Sequence, residues 1–332
     1  MTIKGRFDRF TTNIRPTDAH IEAANKQTEF MIERLHDKVA DDGSFKLEKV
    51  LRAGSNAKFT SLLRTDENVF DVDLGAYYSG KGATKEKLGT LLDFTMEKLI
   101  EIYHQKERKD FEKLKSAVRV RFTSGIKLWV DVAPIIKDDT LKITNGGYIP
   151  RDDGDFRLTS VTAHNDFVTK RTADSKKVSG PVRFNRLVRM IKWWNNLQGP
   201  HVQPSIFCEL IAAASVRDKG VTSEWQTSLR QVFTFLRKHR LAERIVFDDH
   251  YDPKKVALAT GTVVVLDSVN PKNNVTSLWT SKTRDEFLDR VEDAYDASTA
   301  AWSAERDGDE DQAVDHWCEI FGDKFRSLSK ED

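Results

Sequence analysis

An acidic pair inside an apolar strand constrains this chain of 332 residues more than any other feature. The segment 69–78 has the sequence VFDVDLGAYY, which predicts a β-strand whose side chains alternate between two faces. The apolar side chains then face a core, and Asp71 and Asp73 share the opposite face. Two carboxylates on one strand face repel each other, so this arrangement is costly unless a cation lies between them.

A third carboxylate lies in a second apolar strand, IKLWVDVAPII, over residues 126–136. Burying Asp131 there without a partner would cost several kcal/mol. If the two strands pair in one sheet, Asp131 converges with the acidic pair, and such oxygen ligands suit Mg²⁺, with Mn²⁺ as a substitute. We expect two ions, which would activate a hydroxyl nucleophile and stabilise the leaving phosphate in an in-line displacement.

A glycine and a serine, Gly54 and Ser55, precede the acidic strand and begin a predicted short helix. Glycine allows the backbone to approach a phosphate, and the serine hydroxyl and the first N–H groups of the helix can donate to it. Each feature alone has an ordinary explanation: a helix cap, a solvated strand face, a bridged core carboxylate. The ordered set of turn, helix, Asp-x-Asp strand and separate acidic strand is what indicates a phosphate-transfer site.

Composition excludes several other classes of protein. The 53 basic and 52 acidic residues give a net charge of +1, which argues against a polybasic nucleic-acid binder. The two cysteines, Cys208 and Cys318, have no zinc-ligand spacing and are expected to be reduced. The N-terminal stretch MTIKGRFDRF has no apolar h-region, so no signal peptide is expected, and no apolar run approaches the ~20 residues that span a bilayer. A cytoplasmic protein without a membrane partner is expected.

The pattern of elements predicts an α/β (α+β) fold in two parts. Residues 1–160 would form a core with a mixed sheet and a long N-terminal spine helix, and residues 161–332 a mainly helical second lobe that closes the active-site cleft. Within the core, VRVRFT at 118–123 predicts a strand antiparallel to 126–136, joined by a tight turn at Ser124-Gly125. In the second lobe, Ser205 is the expected cap of a helix.

These motifs resemble the nucleotidyltransferase superfamily of the DNA polymerase beta type. Within it, the chain is similar to the CD-NTases, the bacterial relatives of cyclic GMP-AMP synthase and oligoadenylate synthase. The resemblance extends over nearly the whole chain and rests on GSNAKFT, DVD and VDVAPI in the first part, and on LVRMIKWWN, QPSIFCELI and VLDSVNPKNNV in the second.

The resemblance implies a role for each matching residue. It implies that three aspartates bind two Mg²⁺ ions, with Asp131 nearest the attacking hydroxyl, and that four residues hold the donor triphosphate. The metal ligands are Asp71, Asp73 and Asp131, and the nucleotide-binding residues are Gly54, Ser55, Lys192 and Ser205. One departure is Ile206, which stands where family members often carry an aromatic residue that stacks on a base.

The implied activity is synthesis of a cyclic di- or trinucleotide second messenger from ribonucleoside triphosphates, with ATP as the expected substrate, pyrophosphate as by-product and anti-phage signalling as the context. No counterpart of the vertebrate zinc insertion is present, so zinc-dependent DNA sensing is not expected. Some relatives need an activating partner of the peptide-binding type, and the sequence leaves this open. The alternatives are a linear template-independent enzyme, of the oligoadenylate synthase or tRNA-terminal kind, and a non-catalytic nucleotide-binding scaffold.

Overall fold

A computed structural model describes residues 2–63, 69–151, 155–199 and 203–328. The chain forms two compact units, one made of residues 16–166 and the other of residues 1–15 together with 167–332. Helix α1 (Ile3–Asn13) belongs to the second of these units. The predicted domain boundary at residue 160 stays a prediction. The compact units differ from it in two places: residues 1–15 group with the C-terminal part, and residues 161–166 group with the sheet.

The unit of residues 16–166 is built on a mixed sheet. Its elements in chain order are α2 (Asp18–Asp42), β1 (Lys46–Ala53), α3 (Gly54–Ala57), β2 (Val69–Ser79), α4 (Leu88–Ile102), β3 (Phe111–Lys113), β4 (Val118–Phe122), β5 (Lys127–Lys137), β6 (Gly147–Pro150) and β7 (Phe156–Thr159). The strand order is β1-β2-β5-β4-β3, and β6 and β7 extend from β5. β2 and β5 run parallel, whereas their other neighbours are antiparallel.

One face of this sheet packs against α2 and α4. The predicted spine helix is α2, which begins at the cap Thr17 and ends at Gly43. Alternate apolar residues of β2 and β5 face these helices and are almost fully buried, among them Phe70, Val72, Leu74, Leu128, Val130 and Val132. Burial of this one face leaves the opposite face of the same strands, which carries the aspartates, outside the main core.

The turn between β4 and β5 differs from the predicted one. A two-residue turn at Ser124-Gly125 would place Thr123 opposite Ile126, but the last observed pair is Phe122 with Leu128. The tight turn was therefore a wrong prediction, and the connection is longer. The register is shifted by one residue relative to that prediction, and such a shift moves each side chain to a different cross-strand partner.

The other unit is helical. Helix α5 (Val161–Ser175) leads into it, and the helices that follow are α6 (Phe184–Asn196), α7 (Ser205–Ser215), α8 (Trp225–His239), α9 (Ser281–Arg306), α10 (Glu310–Phe321) and α11 (Asp323–Leu328). Between α8 and α9 the chain forms a buried turn, in which the Asp267 carboxylate accepts the backbone N–H groups of Val269 and Asn270, at 2.8 and 3.4 Å.

Helix α1 packs into this helical unit through two phenylalanines. Phe7 and Phe10 are fully buried in a cluster of aromatic rings, 5.0 and 5.1 Å from the ring of Phe325. Trp225 Nε1 also donates to the Asp8 carboxylate at 2.8 Å. These contacts explain why residues 1–15 belong with the C-terminal helices. In the parts of the chain that the structure describes, no helix is both long enough and apolar enough to cross a membrane.

Candidate active site

The two acidic strands are neighbours in the sheet, as predicted. The register of β2 and β5 places Asp73 beside Asp131 and Asp71 beside Trp129. Because residues two apart on a strand share a face, the three aspartates lie on one face of adjacent strands. All three are partly buried, so their charges are only partly screened by water.

The glycine of the predicted phosphate turn lies against one of these carboxylates. β1 pairs with β2 so that Ala53 is opposite Asp73, and the chain leaves β1 at Gly54 with φ at 65°. A Cβ on Gly54 would lie 1.8 Å from Asp73 Oδ2 and 2.6 Å from its Cγ. Only glycine fits here, because it tolerates this φ and leaves room for the carboxylate.

Ser55 follows within α3, a single helical turn. The backbone carbonyl of Ser55 accepts the N–H of Thr60 at 2.9 Å, and its hydroxyl lies 3.0 Å from that of Ser61. The predicted short helix is confirmed, but four residues carry only a small macrodipole. Attraction for a phosphate at this turn therefore rests on individual N–H groups and hydroxyls.

The third carboxylate accepts hydrogen bonds from an arginine that was not predicted from the sequence. Arg119 on β4 is the cross-strand partner of Asp131, and its Nε and Nη2 donate to Oδ1 and Oδ2 at 2.7 and 2.8 Å. The guanidinium also lies 4.4 Å from the centre of the Trp129 ring. The hydrogen bonds to Asp131 raise the pKa of Arg119, as do the charges of Asp131 and Asp71, so the guanidinium stays charged.

The same sheet face ends in a small apolar cluster of Tyr77, Ile135 and Val161. The backbone N–H of Val161 donates to the Tyr77 hydroxyl at 3.0 Å, which fixes the start of α5 to β2. Burial raises the pKa of Tyr77, so the phenol stays neutral at physiological pH. This cluster bounds the acidic site on one side.

The donor set suits a divalent cation in chemistry and placement, since three carboxylates lie on adjacent strands. Among the described residues, however, no group of three or more histidine, cysteine, aspartate or glutamate side chains is already arranged around one cation position. Both oxygens of the Asp131 carboxylate face the Arg119 guanidinium in this arrangement.

Two predicted phosphate-binding residues lie in the helical unit. Lys192 on α6 is buried and its Nζ lies 2.9 Å from the Glu209 carboxylate, which is equally buried. Ser205 is the first residue of α7, but Pro204 occupies the cap position, and its side chain makes no capping hydrogen bond. The prediction of Ser205 as a cap was therefore wrong. The structure places Gly54, Ser55 and the three aspartates in one unit, and Lys192 and Ser205 in the other.

Fold and site together define a nucleotidyltransferase with a polymerase-beta-like sheet. Residues 1–171 match the model of the Second Messenger Oligonucleotide or Dinucleotide Synthetase domain, and the chain belongs to this family. It is 30% identical over 305 residues to the cyclic AMP-AMP-AMP synthase of Escherichia coli MS 115-1, with 91% of this chain and 90% of the relative covered. It is also 30% identical over 324 residues to the CBASS oligonucleotide cyclase CdnC of E. coli KTE188, with 95% and 97% covered.

Solved structures agree with this assignment. CdnC of E. coli MS115-1, determined with ATP, superimposes with a TM-score of 0.81 at 28% identity, over 97% of this chain and 98% of that one. The same enzyme in its complex with HORMA-deltaN gives a TM-score of 0.79, over 99% and 98% of the two chains. The predictions of a CD-NTase, of its fold and of an enzyme from the cyclic-oligonucleotide-synthesising class are confirmed. The family is one of metal-dependent nucleotidyltransferases.

Proposed function

We propose that this chain joins ribonucleoside triphosphates, ATP first among them, into a cyclic di- or trinucleotide signal and releases pyrophosphate. The observation that carries the proposal is the register that brings Asp73 beside Asp131, with Gly54 against the Asp73 carboxylate. Support for ATP comes from a relative named as a cyclic AMP-AMP-AMP synthase and from a relative solved with ATP. Anti-phage signalling in the cytoplasm is the proposed setting, in keeping with the CBASS name of a second relative.

The aspartates have a defined role in this proposal. Asp71, Asp73 and Asp131 hold two Mg²⁺ ions, which Mn²⁺ can replace. When bound, such ions activate an attacking hydroxyl and stabilise the charge on the leaving phosphate. Asp131 would lie nearest the attacking 2′- or 3′-hydroxyl, and its carboxylate would accept the proton. Positioning and charge neutralisation are the main requirements of phosphoryl transfer.

The turn residues bind the triphosphate. The N–H groups of α3 and the Ser55 hydroxyl donate to phosphate oxygens, and Ser61 holds that hydroxyl in place at 3.0 Å. Ser205 offers an exposed hydroxyl beside the first N–H groups of α7. Lys192 contributes its ammonium group, whose position is set by Glu209.

The test is incubation of the purified chain with α-labelled ATP, GTP, CTP and UTP, singly and mixed, with Mg²⁺ or Mn²⁺. Phosphatase treatment and chromatography then separate the products. A short phosphatase-resistant product supports the proposal, and the labels give its bases. A ladder of phosphatase-sensitive species would establish the linear, template-independent alternative. Nucleotide binding without turnover under all conditions would favour the scaffold.

Two variants make the assay specific to the metal-binding carboxylates. Asp73→Asn keeps the size of the side chain but removes its charge, so product formation should fall by at least about a hundredfold. Asp139→Asn is the matched control, because this carboxylate is 80% exposed beside Lys137 in the same unit. Both variants should unfold at the wild-type temperature. Full activity of Asp73→Asn would refute the assignment of the metal ligands.

A peptide-binding partner of the HORMA type is part of the proposal. It is supported by the complex of CdnC with HORMA-deltaN, a structure that superimposes over 99% of this chain. The assay should therefore be repeated with a HORMA protein added at equimolar concentration. Stimulation of the phosphatase-resistant product would establish the partner, whereas equal rates with and without it would show that the enzyme works alone.

A further inference from the structure

The ion pair at the third carboxylate has an unusual position for an enzyme that must bind cations. Arg119 makes two parallel hydrogen bonds to Asp131, one to each oxygen, in the fork geometry that makes such pairs strong. The two side chains are only 20% and 16% exposed, so water weakens the pair little. Both residues lie on strands of the sheet, and neither lies in a loop.

Three features hold the guanidinium in this place. The register of β4 and β5 pairs Arg119 with Asp131 directly. The Trp129 ring supports the guanidinium at 4.4 Å, a cation–π contact. The register of β2 and β5 also places Asp71 and Asp73 on the same sheet face, one strand further on, so the arginine shares that face with the acidic pair.

A cation in this position has two consequences for the aspartates. It offsets the mutual repulsion of three carboxylates on adjacent strands, so the sheet tolerates them before any metal arrives. It also takes one lone pair on each Asp131 oxygen, which leaves fewer positions for a divalent cation. Metal and guanidinium thus have the same ligand, and like charges a few ångströms apart repel each other.

We propose that Arg119 is the resident counter-ion of the catalytic carboxylates, and that divalent cations displace it from Asp131 when they bind. Arg119 is then a positioning residue that holds Asp131 toward β4 until the site is loaded. This inference rests on the proposed function in one respect: Asp131 must be a metal ligand.

The alternative role for Arg119 is purely structural, in which it fixes Asp131 for the metal. The two roles predict opposite changes in metal affinity when Arg119 is removed. If Arg119 competes with the metal, its removal strengthens metal binding. If Arg119 only supports Asp131, its removal weakens metal binding, because the ligand loses its orientation.

The chain offers a matched control for this experiment. Arg121 lies two residues away on the same strand and face, and its guanidinium contacts the same Trp129 ring at 5.7 Å. Its carboxylate partner is Glu112 rather than an aspartate of the site. Arg121→Gln therefore removes an equivalent charge and ring contact without freeing Asp131.

The measurement is Mn²⁺ binding to the full chain without nucleotide, followed by the electron paramagnetic resonance signal of free Mn²⁺. For Arg119→Gln we expect affinity to rise by about tenfold, as for removal of a neighbouring like charge. Arg121→Gln should stay within about twofold of wild type. Unchanged or weaker binding by Arg119→Gln would overturn the proposal. Asp131→Asn separates the two proposals: if its Mn²⁺ affinity equals that of wild type, Asp131 is no ligand and the metal assignment itself fails.

A second measurement uses the wild-type chain and does not depend on the folding of Arg119→Gln. The Nε–H resonance of Arg119, identified by its loss in Arg119→Lys, is followed during titration with Mg²⁺. We expect it to move toward the position of a solvent-exposed arginine as the site fills, while the resonance of Arg121 stays constant. An Arg119 resonance that remains unchanged at saturating Mg²⁺ would show that the pair persists, and would refute displacement.

Discussion

Substitution of Gly54 by alanine tests the close approach between the phosphate turn and the acidic strand. The new methyl group would lie 1.8 Å from Asp73 Oδ2, so the carboxylate would have to withdraw by about 1.5 Å or more to restore van der Waals distance. Misplacement of a catalytic group by ~1 Å can lower a rate by ~10²-fold. We therefore expect Gly54→Ala to lower product formation by about a hundredfold or more.

The stability effect of this substitution has two parts. Alanine at a φ of 65° costs about 1–2 kcal/mol, and the stiffer unfolded chain offsets about 0.4–1 kcal/mol of that. Displacement of Asp73 adds a steric part. The free energy of unfolding, from urea titration followed by circular dichroism, should fall by about 1–3 kcal/mol, which leaves a folded protein if its total stability is typical.

Gly43 provides the control for backbone strain alone. Its φ is 72°, close to that of Gly54, but an added Cβ would have no atom within 4 Å. Gly43→Ala should therefore lose stability through strain and keep its rate of product formation. If Gly54→Ala were as active as Gly43→Ala, the close approach to Asp73 would have no catalytic importance, and the reasoning would be refuted.

Two further predictions concern the helical unit. Glu209→Gln leaves the buried Lys192 ammonium without its carboxylate, so the free energy of unfolding should fall by about 3 kcal/mol or more, as measured by urea titration; a change below ~1 kcal/mol would show that the pair is not needed. Burial raises the pKa of the Cys208 thiol to about 12 and also raises that of half-buried Cys318, so iodoacetamide at pH 8 should label Cys318 slowly in the folded protein and Cys208 only after unfolding, as read by mass spectrometry of peptides. Rapid labelling of Cys208 in the folded state would contradict its burial.

Much of the acidic site could be predicted because it depends on strand periodicity. Alternation alone placed Asp71 and Asp73 on one face and their apolar neighbours on the other, and the structure confirms this. The apolar run around Asp131 indicated a second buried strand, and this is β5. Local sequence carries this information, since each side chain is assigned to a face by its parity.

The contact of Arg119 with Asp131 was not predicted, because it depends on the register of the hairpin. In a two-residue turn, an even-numbered residue of one strand always pairs with an odd-numbered residue of the other, so the residue numbers of each pair add to an odd sum. The buried residues of both strands, such as Val120 and Val130, are even-numbered. Paired residues share a face, so only an even sum buries both sets together. That parity argument excludes the tight turn and is compatible with the pairing of Arg119 with Asp131.

Other features could not be predicted from local sequence at all. The membership of residues 1–15 in the helical unit depends on contacts of Phe7 and Phe10 with residues about 300 positions away. The helix cap is Pro204 and not Ser205, and this depends on backbone geometry, since both residues are typical of helix starts. The phosphate contacts of Lys192 and Ser205 remain predictions.

The burial of α1 among the C-terminal helices has a consequence for biosynthesis. The unit of residues 16–166 is continuous, so it can fold as soon as it leaves the ribosome. The helical unit is discontinuous: Phe7 and Phe10 have no complete partner cluster until Phe325 has been synthesised. During that interval two large apolar side chains stay exposed, and a chaperone can bind them. The contacts between α1 and α11 can form only after both helices have been synthesised, and they complete this aromatic cluster.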